Sequence, residues 1–191
     1  MYNFSIMKPL KEFVADIREF LEPIWVKAHE GWADEPVPIP PSKYMCRYSC
    51  LFLKQALNDA GYGEWQVYLG RPPSQELHGT EQGQFGYCSA DGKWYDHAWL
   101  IKGDLLIDIT ADQYGDAPVI VGASLPEKYN ANMSETDVAA DFQKLKKRVD
   151  SWVEYWGRSV PPEKRIQEWL KMADSFAKDW KPSDVLFVSK E

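Results

Sequence analysis

Between Cys46 and Thr110 the apolar pattern changes from a helical period to a strand period, and that change restricts the chain to a mixed fold. Cys46, Cys50, Leu53 and Leu57 step by four, three and four, so they share one face of a helix. Pro40, Pro41 and Ser42 give a start signal ahead of it, and Gly61 gives a stop. Further on, Lys93–Ile101 and Leu105–Thr110 are rich in aromatic and β-branched residues and flank Lys102-Gly103-Asp104, the pattern of a β-hairpin. A helix packed on an antiparallel sheet belongs to the α+β class.

The same two segments carry a candidate chemistry. Cys46 falls in the first turn of the expected helix, where unpaired backbone N–H groups and the positive end of the macrodipole favour a thiolate. A free thiol has a pKa of ~8.5, so such a placement is one way to make it a nucleophile. The bland alternative is a buried cysteine packing as a small hydrophobe, and for Cys50, one turn further in, that reading is preferred.

The hairpin brings the other two groups together. If Gly103 and Asp104 form a two-residue turn, Lys102 pairs with Leu105, and His97 and Asp108 become diagonal neighbours on one face. A turn at Lys102-Gly103 sets them directly opposite, whereas a three-residue loop puts them on opposite faces. A carboxylate that accepts a hydrogen bond from one ring nitrogen fixes the tautomer and leaves the other nitrogen to take a thiol proton. Cys46, His97 and Asp108 are therefore the expected catalytic residues, with the Cys46 backbone N–H, Gln113 and Tyr44 as candidate helpers for an oxyanion.

Cys46-Arg47, the small or apolar Cys50 and Leu53, and Ala60-Gly61 resemble the cysteine helix of transglutaminase-like proteins. His97-Ala98-Trp99-Leu100 and Ile107-Asp108-Ile109-Thr110 resemble that superfamily's histidine and aspartate strands. The resemblance covers Tyr44 to Gln113, about a third of the chain, and departs from the family at Tyr48, where an acidic residue often stands. It implies a papain-like α+β core, a Cys-His-Asp triad without a cofactor, and acyl-thioester chemistry on an amide (peptide, isopeptide or glutamine side chain) or an ester. The expected partner is a peptide or protein substrate, or a small amide or ester.

The chain has 191 residues, room for one domain, here a core over about 42–125 with a helical appendage over about 134–180. Its 45% hydrophobic content and nine tryptophans exclude a disordered chain. The net charge of −7 argues against nucleic acid or an anionic membrane as partner. Three cysteines without a framework spacing, and a start at Met1-Tyr2-Asn3-Phe4-Ser5 without a basic-then-apolar signal pattern, set the expectation of a reducing, cytoplasmic location. No apolar run approaches ~20 residues, so no membrane span is expected.

Leu10, Phe13, Ile17 and Phe20/Leu21 predict a first helix that begins near Pro9 and breaks or kinks at Pro23. Strands are expected over Trp65–Leu69, Gln84–Cys88, Lys93–Ile101 and Val119–Val121, the second and third paired around Asp91-Gly92. Arg71–Gly83, with His78, reads as an irregular loop. Val138, Phe142, Leu145, Val149, Trp152 and Trp156 mark a further helix capped by Ser134 and Asp137, with Lys144–Arg148 on a solvated face. A second helix from Pro161 and Pro162 completes an αα-hairpin that packs on the core without supplying catalytic groups.

Two other functions compete. Cys46, Cys50, Cys88, His97 and Asp108 are all acceptable zinc ligands, but Cys-x3-Cys within one helix is an unusual spacing and no close Cys or His pair completes the set; no metal is expected. The other is a catalytically inert transglutaminase-like module whose helical hairpin recruits a partner protein.

Overall fold

The computed structural model describes residues 7–31, 36–72 and 84–157, together with residue 167. Three α-helices and two antiparallel sheets make up the described part, an α+β arrangement. Most of Arg71–Gly83, with His78, and the helix expected from Pro161 onward lie outside it.

Helix α1 spans Leu10–Glu30 with Pro23 inside it, so the chain is not broken there. Proline inside a helix removes one backbone hydrogen bond at a cost of about 3 kcal/mol. Continuing the helix buries Ile24, Trp25 and Ala28 beyond it, and each large apolar side chain fully buried stabilises by ~1.5–3 kcal/mol. Burial outweighs the local defect.

Helix α2, Cys46–Asp59, begins at the expected cysteine and ends just before Gly61, whose φ of 83° is the left-handed conformation that stops a helix. It is buried beyond its expected stripe, with Tyr48, Ser49, Phe52 and Ala56 also inside, because it packs against α1, the sheet and a last helix, α3, Ala139–Trp156. On α3 the expected positions Phe142, Leu145, Val149 and Trp152 are buried. Ser134 and Asp137 do not cap it. Asp137 accepts from the N–H and hydroxyl of Ser134, each at 2.7 Å, closing a turn ahead of the helix, whose cap position is Val138. Lys144 and Lys146 on its outer face are solvated. No described helix is long and apolar enough to cross a membrane.

The strands are β1 Gln66–Gly70, β2 Gly86–Cys88, β3 Trp94–Tyr95, β4 His97–Lys102, β5 Leu105–Asp108, β6 Ile120–Ala123, β7 Tyr129–Asn130 and β8 Met133–Ser134. They form a five-stranded sheet, β6-β5-β4-β1-β8, and a three-stranded one, β3-β2-β7. The single strand expected over Lys93–Ile101 is thus two strands in different sheets, divided at Asp96. The sheets meet at Gly70 and Gly86. A Cβ on Gly70 would run into the backbone of Gly86 and Asn130, and one on Gly86 into the Tyr95 carbonyl. Absence of side chains there lets the small sheet close against the end of β1, where Gly70 pairs with His97.

Candidate active site

In the β4–β5 hairpin Lys102 pairs with Leu105, Ile101 with Leu106 and Leu100 with Ile107, so Gly103 and Asp104 form the two-residue turn. Gly103 has the φ of 58° that such a turn requires of its first residue. Of the registers open to the sequence, this is the diagonal one. The His97 Nε2–H donates to Asp108 Oδ2 at 2.6 Å, with both side chains withdrawn from solvent.

Asp108 is held from every side. The Thr110 N–H and hydroxyl donate to its Oδ1 at 2.8 and 3.0 Å, and the Tyr129 hydroxyl donates to Oδ2 at 3.0 Å. Burial would raise the carboxyl's pKa, but the His97 charge and these donors hold it below its ordinary value. Burial alone would lower His97; the charge and hydrogen bond of Asp108, aided by the Cys46 thiol, outweigh it and push the imidazole up to about 10. The two groups therefore favour each other's charged form, and the carboxylate's remaining acceptor positions are filled by Thr110 and Tyr129.

The other ring nitrogen, His97 Nδ1, is buried and has no hydrogen-bond partner among the described residues. Cys46 stands on α2 close enough for its thiol to raise the histidine's pKa. The sulfur is mostly covered, with the residue 7% exposed, while Cys50 is buried further in and its thiol is pushed up by desolvation first and by the neighbouring Cys46 second. His97 is thus joined directly to Asp108, and Cys46 lies near the same imidazole.

Around the imidazole stands a wall of rings. Tyr87 and Tyr114 meet it edge-on at centroid distances of 5.5 and 5.2 Å, and Trp99 stacks at 6.2 Å. These rings exclude water and leave His97 few alternative orientations.

The approach to Cys46 is shaped by Tyr44, whose φ of 68° is left-handed and unusual for a non-glycine residue. Such a conformation costs about 1–3 kcal/mol and persists where the surroundings enforce it. Met45, fully buried, fixes the chain on one side; on the other, the Ser42 hydroxyl donates to Asp112 at 2.6 Å. Ser42 is therefore no helix cap, and α2 starts with no side-chain cap at all. Asp112 is also held by Arg18 of α1 at 2.7 Å and 3.0 Å, and Arg18 donates to the Ile109 carbonyl at 2.5 Å. This buried network ties α1 to the segment after β5 and to the loop that delivers Cys46.

Gln113 lies beside this loop, in a 3-10 turn over Ala111–Tyr114. Its amide donates to the Thr110 carbonyl at 2.8 Å and its oxygen accepts from the Tyr44 N–H at 3.4 Å. Both ends of the side chain, and the Tyr44 N–H with them, are used to brace the loop. For Gln113 and Tyr44, expected as oxyanion helpers, the structure shows this bracing contact ahead of the uncapped start of α2.

Thr110, Tyr129, Tyr114 and Tyr87 were not anticipated from the sequence. Thr110 had a local signal, since a residue two positions after an aspartate is where an Asp side chain closes a turn. Tyr129 had none; it reaches Asp108 only through the pairing of β7 with β2. Among the described residues, no group of three or more His, Cys, Asp or Glu side chains is arranged to hold a metal ion. Comparisons with protein-family models, with curated proteins and with solved structures find no match to this chain.

Proposed function

We propose that the chain is a thiol-dependent hydrolase or acyltransferase with a papain-like, transglutaminase-like core, acting on an amide or ester bond through an acyl-thioester on Cys46. One observation carries the proposal: the His97–Asp108 pair is locked by buried hydrogen bonds, and the imidazole lies close enough to the Cys46 thiol, at a helix start, for that thiol to raise its pKa.

In this mechanism the imidazolium that Asp108 favours is the form His97 takes once it holds the Cys46 proton on Nδ1, and the sulfur so freed attacks the carbonyl carbon of the substrate. The C=O pair moves onto oxygen, and the Cys46 N–H stabilises the resulting anion. On collapse the C–N or C–O bond breaks and His97 donates its proton to the departing amine or alcohol. Water or a second amine then gives its proton to His97 and attacks the thioester, releasing the acid or a new amide and restoring the thiol. Asp108 stays ionised throughout and holds the ring. A peptide, a protein side chain or a small amide or ester all present the required carbonyl.

Site-resolved alkylation tests the nucleophile. With iodoacetamide near neutral pH, Cys46 is expected to react faster than Cys50 and Cys88, although Cys88 is the more exposed. Equal labelling of the three, or preferential labelling of Cys88, would contradict the assignment and favour an inert module.

A further inference from the structure

The chain leaves the three-stranded sheet and enters the five-stranded one at Asp96, and at that break the neighbours of both reactive residues meet. Arg47, which follows Cys46, donates from one guanidinium nitrogen to Asp96 Oδ1 at 2.9 Å and to Oδ2 at 3.0 Å. Arg71, which follows the last residue of β1, donates through Nε to Asp96 Oδ2 at 2.8 Å. The Asp96 carbonyl accepts from the Tyr114 hydroxyl at 3.0 Å, and the ring of Tyr114 lies against His97. One aspartate therefore joins the first turn of α2, the end of β1 and the start of β4, immediately before His97.

We propose that Asp96 is a positioning residue, which sets the separation of Cys46 from His97 by clamping α2 to β4 through Arg47. The proposal rests on the catalytic reading of Cys46 and His97. Charge-assisted hydrogen bonds of this length are shorter and more directional than neutral ones. Arg47 is 8% exposed, and its partner carboxylate is partly covered, so bulk water competes weakly for the contact. Each oxygen of Asp96 accepts from a guanidinium, Oδ1 from Arg47 and Oδ2 from Arg47 and Arg71. The requirement it meets is geometric: α2 and β4 are separate elements, and a misplacement of about 1 Å between reacting groups costs roughly 10²-fold in rate.

The test compares the rate of Cys46 alkylation by iodoacetamide with that of Cys88 in the same molecule, well below the melting temperature. The comparison covers wild type, Asp96→Asn, Arg47→Met, the double variant and Asp108→Asn. The clamp predicts that Asp96→Asn and Arg47→Met each lower the Cys46:Cys88 ratio by roughly tenfold, and that the double variant loses no more than the larger single change. An unchanged ratio in folded Asp96→Asn, whatever its melting temperature, overturns the proposal. If Asp96→Asn does not fold, Arg47→Met, which keeps the buried stem, decides in the same way. Failure of the catalytic reading looks different: wild-type Cys46 would react no faster than Cys88 and Asp108→Asn would change nothing. A wild type that is activated, slowed by Asp108→Asn and indifferent to Asp96→Asn and Arg47→Met would sink the clamp alone.

Discussion

One face of the five-stranded sheet sends Val67, Leu69, Ala98, Leu100 and Ile107 into a large apolar cluster with the three described helices. The other sends Trp99 and Leu106 into a smaller cluster with Tyr87 and Tyr129, and it is on this face that His97 and Asp108 meet. The first face is held by non-directional burial, in which shape and volume matter most. The second is built from rings that each carry a hydroxyl to a particular acceptor: Tyr129 to Asp108, Tyr87 to Asp116, Tyr114 to the Asp96 carbonyl. Such a face fixes orientation as well as burying area. Changes on the helical face should therefore move stability, and changes on the tyrosine face should move reactivity.

The largest separation is expected from Asp108→Asn. Loss of the carboxylate removes the charge that favours the imidazolium, and Cys46-dependent turnover of an activated ester should fall by roughly 10²–10⁴-fold. The same variant tests the ion pair through pH. His97 is raised from 6.5 to about 10, so its contribution to stability is complete below pH 6.5 and is lost as pH rises through 10. Asp108 is lowered from 3.8, so its share is complete above that value and is lost on acidification. Melting temperature against pH should show wild type losing its advantage over Asp108→Asn as pH climbs from 7 towards 11. A difference that stays constant across that range would mean that His97 is not charged in the fold.

Trp152→Ala is the counterpart on the helical face. Trp152 is fully buried on α3 with its ring 5.6 Å from that of Tyr48, and truncating such a residue costs ~3–5 kcal/mol. A large drop in melting temperature with an unchanged Cys46:Cys88 labelling ratio in the folded protein is expected. A slowed Cys46 would show that the two faces are not separable.

Smaller effects sharpen the comparison. Tyr129→Phe keeps the ring and removes one of the donors to Asp108, which should reduce turnover several-fold and cost about 1 kcal/mol in stability. Activity equal to wild type would reduce Tyr129 to packing. Cys50→Ala, on the α2 face turned to the core, should cost about 1 kcal/mol by denaturant unfolding and leave Cys46 labelling intact.

How far the sequence reached follows the same division. The helical face was legible because a period of three and four marks a buried stripe, and α2 and α3 lie where their stripes put them. The hairpin register was narrowed by the alternation of side chains and by Gly103-Asp104, which together put His97 and Asp108 on one face. The tyrosine face was not legible: β7 and β8 are two residues each, too short for any pattern, and they supply Tyr129 and close the sheet edge. Asp96 was hidden inside an aromatic run that looked like one strand and is two. Pro23 misled because its local cost was visible, whereas the burial of Trp25 and Ala28 beyond it was not.

The central claim is that Cys46 forms a covalent acyl intermediate, and acid-quenched peptide mapping by mass spectrometry after mixing the full chain with an activated aryl ester tests it most directly. The account predicts one acyl group on the peptide carrying Cys46, appearing with a burst of the phenol, absent in Cys46→Ser and strongly reduced in Asp108→Asn. An acyl group on Cys88, or on lysines alone with the same yield in Cys46→Ser, would contradict it.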